Sequence, residues 1–351
     1  MKMLRLAAGA LISGAIVFAA FPASAGVLSP SRFNHPGNIL ISDQFNNRVI
    51  EADKSGNIVW SWGLGPMDFS ANSILGVNDA ERVGQDTLMA GTGIPAGVDP
   101  NCPAGCVDSR VILVDPSGNI VWQYGQFGVN GSGADQLNAP VQATWAPDQT
   151  VYITDQGNQR VIQVDMNMNI LWQYGTTGVS GNGFDQLNNP NSAELLKNGD
   201  VLIADESNNR VIEVDKTTLN VVATYTAQGT MNGPAFASLL PNHQLLVTDG
   251  NNNRIITLDK NDNVKFEYFT NTQAGSNPNP IPTRAIVARG DDILISDQFN
   301  NRVILINKEQ NLLVQYGNLN TIGYGTTSTQ QGLYAPYDAK VIGDYKGLTR
   351  P

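Results

Sequence analysis

Five segments of the chain carry the same acid, amide and base at fixed spacing: Asp43, Asn46 and Arg48; Asp155, Asn158 and Arg160; Asp205, Asn208 and Arg210; Asp249, Asn252 and Arg254; Asp297, Asn300 and Arg302. A carboxylate five residues ahead of a guanidinium could hold a ligand, but its repetition in copy after copy points to scaffold. The Asp closes a hairpin loop, the Asn supports the turn and the Arg pairs with a carboxylate. A sixth copy departs from the pattern, with Gly91 in place of the Asp and Asp108 in place of the Asn. Chemistry that serves one ligand should sit where the copies differ. Aligning the stretches around Pro140, Pro190, Pro234, Pro282 and Pro336 gives, two positions on, Gln142, Ser192, Phe236, Arg284 and Asp338, with Asn78 in the remaining copy. The next position is Ala in five copies and Asp79 in the sixth. Asp338, Asp79, Asn78, Gln142 and Glu194 make a set of hard oxygen donors suited to Ca²⁺, with Asp338 and Asp79 as metal ligands and Arg284 opposite to hold an anion. The plainer alternative is that these residues line a solvated tunnel.

Other chemistries find less support. The chain has two histidines, His35 and His243, too few for a three-His metal site, and no Ser/His/Asp or Cys/His arrangement follows from spacing. Lys and Arg total 21 against 31 Asp and Glu, a formal charge of −10, which speaks against phosphate-backbone binding and so against a nucleic-acid partner. The glycine-rich stretches Asn130–Asp135 and Ser180–Asp185 offer side-chain and carbonyl oxygens, but without a full Ca²⁺-loop pattern.

The elements that position these residues form a repeat. The aligned arginines Arg48, Arg110, Arg160, Arg210, Arg254 and Arg302 are 62, 50, 50, 44 and 48 residues apart, a spacing of propellers or solenoids built from short β-branched runs. Each unit reads as four strands. The last two are joined by turns such as Asp53-Lys-Ser-Gly-Asn57, whose Gly and Asn accept a left-handed backbone. Trp62, Tyr124, Tyr174, Tyr225, Tyr268 and Tyr316 each lie five residues after a turn Asn, which predicts aromatic packing between neighbouring units. The chain starts its first unit without a first strand, and Pro336-Tyr-Asp-Ala339 near the end matches one. The expected fold is therefore all-β: a six-bladed β-propeller of four-stranded blades, with the C-terminal strand completing the N-terminal blade and leaving no open edge in the ring.

Residues 1–25 carry Lys2 and Arg5, an apolar stretch from Leu6 to Phe21 and the ending Ala23-Ser-Ala25, the layout of a secretory signal peptide. The expected mature domain is 26–351, secreted or periplasmic, monomeric and with no membrane span. In an oxidising compartment Cys102 and Cys106, the only cysteines, are expected to form a local disulfide.

The boxes Asp-x-x-Asn-x-Arg-[Val/Ile]-Ile and linkers such as Tyr124–Pro140 resemble those of the NHL-repeat six-bladed β-propellers over residues 33–345. That resemblance implies the fold and leaves function open, since such propellers include lyases, lactonases, amidating lyases, sulfotransferases and ligand-binding modules. The amidating lyases and sulfotransferases use histidines that this chain lacks at matching positions. In a four-stranded blade, the loops entering the first strand and joining the second to the third share one face. Here that face holds linkers 125–139 and 175–189 and the insertion Thr92–Val107, and loops on a rigid scaffold are the usual place for binding. The expected function is a binding scaffold for a protein or carbohydrate partner through this loop face. The alternative is a Ca²⁺-dependent lactonase- or lyase-like enzyme at the central channel, and Ca²⁺ is the only cofactor suggested.

Overall fold

The computed structural model describes residues 26–325 and 332–344; residues 1–25, where a signal peptide is expected, lie outside them. Six antiparallel sheets stand in a ring. Blade 1 is built from Pro336–Val341, Ile39–Asp43, Arg48–Ala52 and Ile58–Trp62, inside to outside, and Gly26–Val27 adds a short fifth strand against Ile58–Trp62. The innermost strands of blades 2 to 6 are Val77–Val83, Pro140–Trp145, Pro190–Leu195, Pro234–Leu239 and Arg284–Val287, each followed outward by three more strands. The innermost strands pack side by side around the axis, and Arg284–Val287 meets Pro336–Val341 to complete the ring. The expected closure, three strands from the start of the domain and one from its end, is thus observed.

Each box does local work. The Arg Nε donates to the Asp carboxylate at 2.6–2.9 Å in blades 1 and 3 to 6, and the Asn amide donates to the same oxygen at 2.7–2.8 Å. In blade 2, Asp108 supplies the missing carboxylate to Arg110 at 2.6 Å. A β-carbon at Gly91 would collide with that carboxylate at 2.5 Å, so the loss of one Asp and the gain of the other are one change.

The residue before each Arg takes left-handed φ, from 51° at Asn47 to 59° at Gln159, which favours Asn there. Its side-chain oxygen then accepts the backbone N–H that leads into the next blade: Asn47 from Gly76, Ser109 from Ala139, Gln159 from Asn189, Asn209 from Gly233, Asn253 from Ile281 and Asn301 from Ala335. Six copies of one bond stitch six blades. Between the sheets lie aliphatic and aromatic clusters, in which Trp62, Tyr124 and Tyr174 are buried as their recurrence suggested.

Candidate functional site at the channel

Strand pairing fixes which side chains meet on the axis. Asp338, Gln142, Ser192, Phe236 and Arg284 pair with Ser42, Thr154, Ala204, Thr248 and Ser296 of their second strands, one register position in every blade. In blade 2 that position belongs to Asp79, paired with Ala90, and not to Asn78. The proline-based alignment is therefore corrected by one residue. Blade 2 has no Pro, Val77 takes its place opposite Gly91, and the same β-bulge follows as in the other blades. With this register the following residue is Ala in all six blades: Ala80, Ala143, Ala193, Ala237, Ala285 and Ala339.

The axial side chains link blade to blade. Asp338 accepts the Ala80 N–H, Asp79 that of Ala143, Gln142 that of Ala193 and Ser192 that of Ala237, at 2.6–3.3 Å. Phe236 has no acceptor to offer the next Ala, and Arg284 is a donor. At these two positions the pattern gives way to an ionic cluster. The Lys340 ammonium donates to Asp338 at 2.5 Å, to Asp79 at 2.8 Å and to the Ala80 carbonyl at 2.8 Å. Arg284 lies 2.7 Å from Asp79 and 2.9 Å from Asp338 on one side and rests its guanidinium 4.2 Å from the Phe236 ring centre on the other. All four charged groups are buried.

Burial pushes the Asp79 carboxyl up against the pull of Lys340. Around Asp338 burial is outweighed by Lys340 and Arg284, which hold it below its ordinary value. One register step further along the axis, Glu81 accepts the Trp145 N–H at 2.5 Å, and burial pushes its carboxyl up to about 8. Glu194 occupies the same register in blade 4 and is buried. Asp79, Asp338 and Arg284 lie side by side and are paired with one another and with Lys340; Lys340 was not among the sequence candidates, and its period-2 spacing from Asp338 was the available signal. As a Ca²⁺ site the donor set is compromised: the oxygens of Asp79 and Asp338 face an ammonium and a guanidinium. Among the described residues no group of three or more His, Cys, Asp or Glu is arranged to hold a metal.

Above this plug, on the loop face, the channel opens into a polar cavity of about 340 Å³. Its walls come from the residue after the box Asp (Gln156, Glu206, Gly250 and Gln298) and the residue before the axial position (Asn191, Ala235, Thr283 and Tyr337). Asn78 belongs to this second set, where its side-chain oxygen accepts from Gln44 at 2.7 Å. Gln298 donates to Gln44 at 2.8 Å, continuing the chain of amides around the rim. On the other side Asn191 donates to Glu206 at 2.6 Å and exchanges hydrogen bonds with the Tyr337 hydroxyl at 3.0–3.1 Å. Burial pushes the Glu206 carboxyl and the Tyr337 phenol up. Phe299 lines the cavity and joins an aromatic cluster with Phe45, Phe69, Phe127 and Tyr334.

Cys102 and Cys106 are joined as expected, and the turn they close is held by an Ile94–Cys106 bridge within the insertion. In the glycine-rich linkers, Asp135 and Asp185 accept the N–H groups of Gly125 and Gly175 at 2.7–2.8 Å, a linker-fastening role. His243 lies in a turn with φ 63°, and His35 is exposed beside Pro36.

No family model matches the chain, and no curated protein matches it. Solved structures do. The chain is similar to virginiamycin B lyase from Staphylococcus aureus, with a TM-score of 0.52, 13% identity and 83% of each chain covered. It is similar to a streptogramin B lyase at TM-score 0.54 and 13% identity, over 94% of this chain and 92% of that one. It is also similar to a protein of unknown function from Bacteroides caccae at TM-score 0.58 and 13% identity, over 84% and 97% of the two chains. At such identity the likeness establishes the six-bladed propeller fold and nothing about activity.

Proposed function

We propose that this protein is an exported NHL-type propeller that binds a carbohydrate at the loop-face mouth of its channel. The observation that carries the reading is the mouth itself: planar amides of Asn191, Gln156 and Gln298, one partly buried carboxyl at Glu206 and the Phe299 ring around about 340 Å³. Sugars present hydroxyls that both donate and accept, which amides match in pairs, and apolar ring faces that rest on aromatics. The plug of Lys340, Arg284, Asp79 and Asp338 gives this cavity a rigid floor. Export is supported by the Cys102–Cys106 disulfide, which persists in oxidising compartments, and by the leader-like composition of residues 1–25.

The test is calorimetric titration of the mature protein against a panel of neutral and acidic oligosaccharides. The reading expects at least one binder whose affinity falls about tenfold in Asn191→Ala, roughly 1.4 kcal/mol for a lost polar contact. A panel without binders, or a binder indifferent to both Asn191→Ala and Phe299→Ala, overturns it.

The second reading, a Ca²⁺-dependent lactonase- or lyase-like channel enzyme, has in its support the meeting of Asp79 and Asp338 on the axis. It requires Ca²⁺ to displace the Lys340 ammonium from both carboxylates. Thermal melts in EDTA and then in Ca²⁺ decide it, because a site filled to a hundred times its dissociation constant adds about 2.7 kcal/mol. An unchanged melt retires this reading.

A further inference from the structure

The seam where blade 6 meets blade 1 holds a second cavity, of about 350 Å³, on the face opposite the loop-face mouth. Its origin is a substitution within the repeat. Three residues after the outer hairpin Asn, the six blades carry Trp60, Trp122, Trp172, Ala223, Phe266 and Val314. Each of the three tryptophans donates its indole N–H to a carbonyl in the hairpin of the following blade: Trp60 to Pro116 at 3.3 Å, Trp122 to Met166 at 3.1 Å and Trp172 to Lys216 at 2.9 Å. All three acceptors are the second residue of their hairpins. In blade 1 that residue is Lys54, which borders the cavity.

Cross-strand pairing shows why space is left. The row facing the seam in blade 3 is Tyr152, Gln163 and Trp172, whereas in blade 6 it is Leu294, Leu305 and Val314. On the opposing blade, Val341 takes the register held by Arg82 in blade 2 and Trp145 in blade 3. Leu is the common residue at the Leu294 register (Leu40, Leu88, Leu202 and Leu246) and Leu113 matches Leu305, so the space comes from two positions: Val314 and Val341 stand where the seam between blades 2 and 3 places Trp122 and Trp145. The result is a mostly apolar pocket with Lys54, Asp292 and Asp344 on its border, within the roughly 300–1,000 Å³ range of small-molecule sites.

We infer that this seam pocket binds a fused-ring aromatic ligand bearing an N–H donor, an indole-type small molecule, in the place and pose of the absent tryptophan. The ring lies against Leu305 and Val314 and the N–H is directed at the Lys54 carbonyl, as three seams of the same molecule already do with their own indoles. This site is independent of the mouth and of any carbohydrate.

The experiment is titration of the mature protein with indole and with 1-benzothiophene, a near-isostere without the N–H, followed by calorimetry and ligand-observed NMR. Saturable indole binding is expected, about fivefold tighter than benzothiophene for one net hydrogen bond. Val314→Trp fills the pocket from within and should abolish binding while matching or exceeding the wild-type melting temperature; Ala288→Phe, which enters from the turn after Arg284–Val287, should abolish it as well. Absence of indole binding, or unaltered binding in both folded variants, overturns the proposal. Binding that appears only after residues 345–351 are removed gives the pocket to the chain's own tail and overturns it too.

Discussion

Glu81→Gln should stabilise the protein increasingly as pH rises from about 4.5 to 8. The ionic cluster on the axis is balanced without Glu81: Lys340 and Arg284 against Asp79 and Asp338. A third ionised carboxylate would be surplus charge in a buried site, and burial accordingly pushes the Glu81 pKa from 4.5 up to about 8. The folded chain therefore keeps a proton that the unfolded chain loses, and it binds more protons than the unfolded chain throughout that window. Stability must fall as pH rises through it. At about 1.36 kcal/mol per pH unit, the full penalty approaches roughly 5 kcal/mol, an upper bound because side chains relax around a new charge. Gln keeps the acceptor for the Trp145 N–H and cannot ionise. Guanidinium denaturation of wild type and Glu81→Gln at pH 4.5, 6, 7, 8 and 9 reads chiefly this group, with a smaller contribution from Lys340, Asp79 and Asp338, which interact with it electrostatically. The stability difference should widen steadily with pH and level off above the folded-state value. Parallel curves across the whole range would refute the argument.

Asp43→Ala should destabilise the protein by about 3–5 kcal/mol, because the Arg48 side chain it pairs with is fully buried; a denaturation midpoint near wild type would show the box to be dispensable. Asp108→Asn leaves Arg110 without a carboxylate in the one blade that has no other, and the pair Gly91→Asp/Asp108→Asn should recover part of the loss, as a double-mutant cycle would measure. Gly63→Ala places a β-carbon 2.2 Å from the Asn47 carbonyl at φ 108°, so a lower melting temperature is expected, by several degrees for about 1–3 kcal/mol of strain. Replacing both Cys102 and Cys106 by Ser opens a loop of only four residues' separation and should lower stability by about 2 kcal/mol on loop-closure grounds, with no change in the blades' circular dichroism.

The fold was legible because every blade repeats its instructions. The Asp-x-x-Asn-x-Arg box marks one loop, the hairpin Asn another, and the aromatic five residues later names the side chain that enters the seam. Ring closure could be read from two incomplete ends, Asn38–Asp43 without a partner and Pro336–Ala339 without a sheet. Where the marker failed, the reading slipped. Blade 2 lacks the Pro that sets the frame, so Asn78 was placed on the axis and Asp79 beside it, and a one-residue slip in a strand exchanges the two faces. The β-bulge after Val77 settles the frame through hydrogen bonding, which no residue type announces.

The site was less legible for a related reason. A repeat reveals its scaffold by what recurs, whereas a site is made of what does not recur, and non-recurring residues are also where neutral drift would show. Position within the unit separates the two. The residue after the box Asp reads Gln44, Gln156, Glu206, Gly250 and Gln298, and the residue before the axial position reads Asn78, Val141, Asn191, Ala235, Thr283 and Tyr337. Taken singly, each series looks like loop variation. Only the closed ring brings both onto one rim, where Asn191 touches Glu206 from its own blade and Tyr337 from blade 1, 146 residues away in the chain. The axial cluster follows the same logic. Lys340 and Arg284 are unremarkable in a strand taken alone, and they become a plug because six inner strands converge on a space too narrow for unpaired charge. Charge balance is thus a property of the ring and of no single blade, and each axial substitution has to be judged against the other five positions.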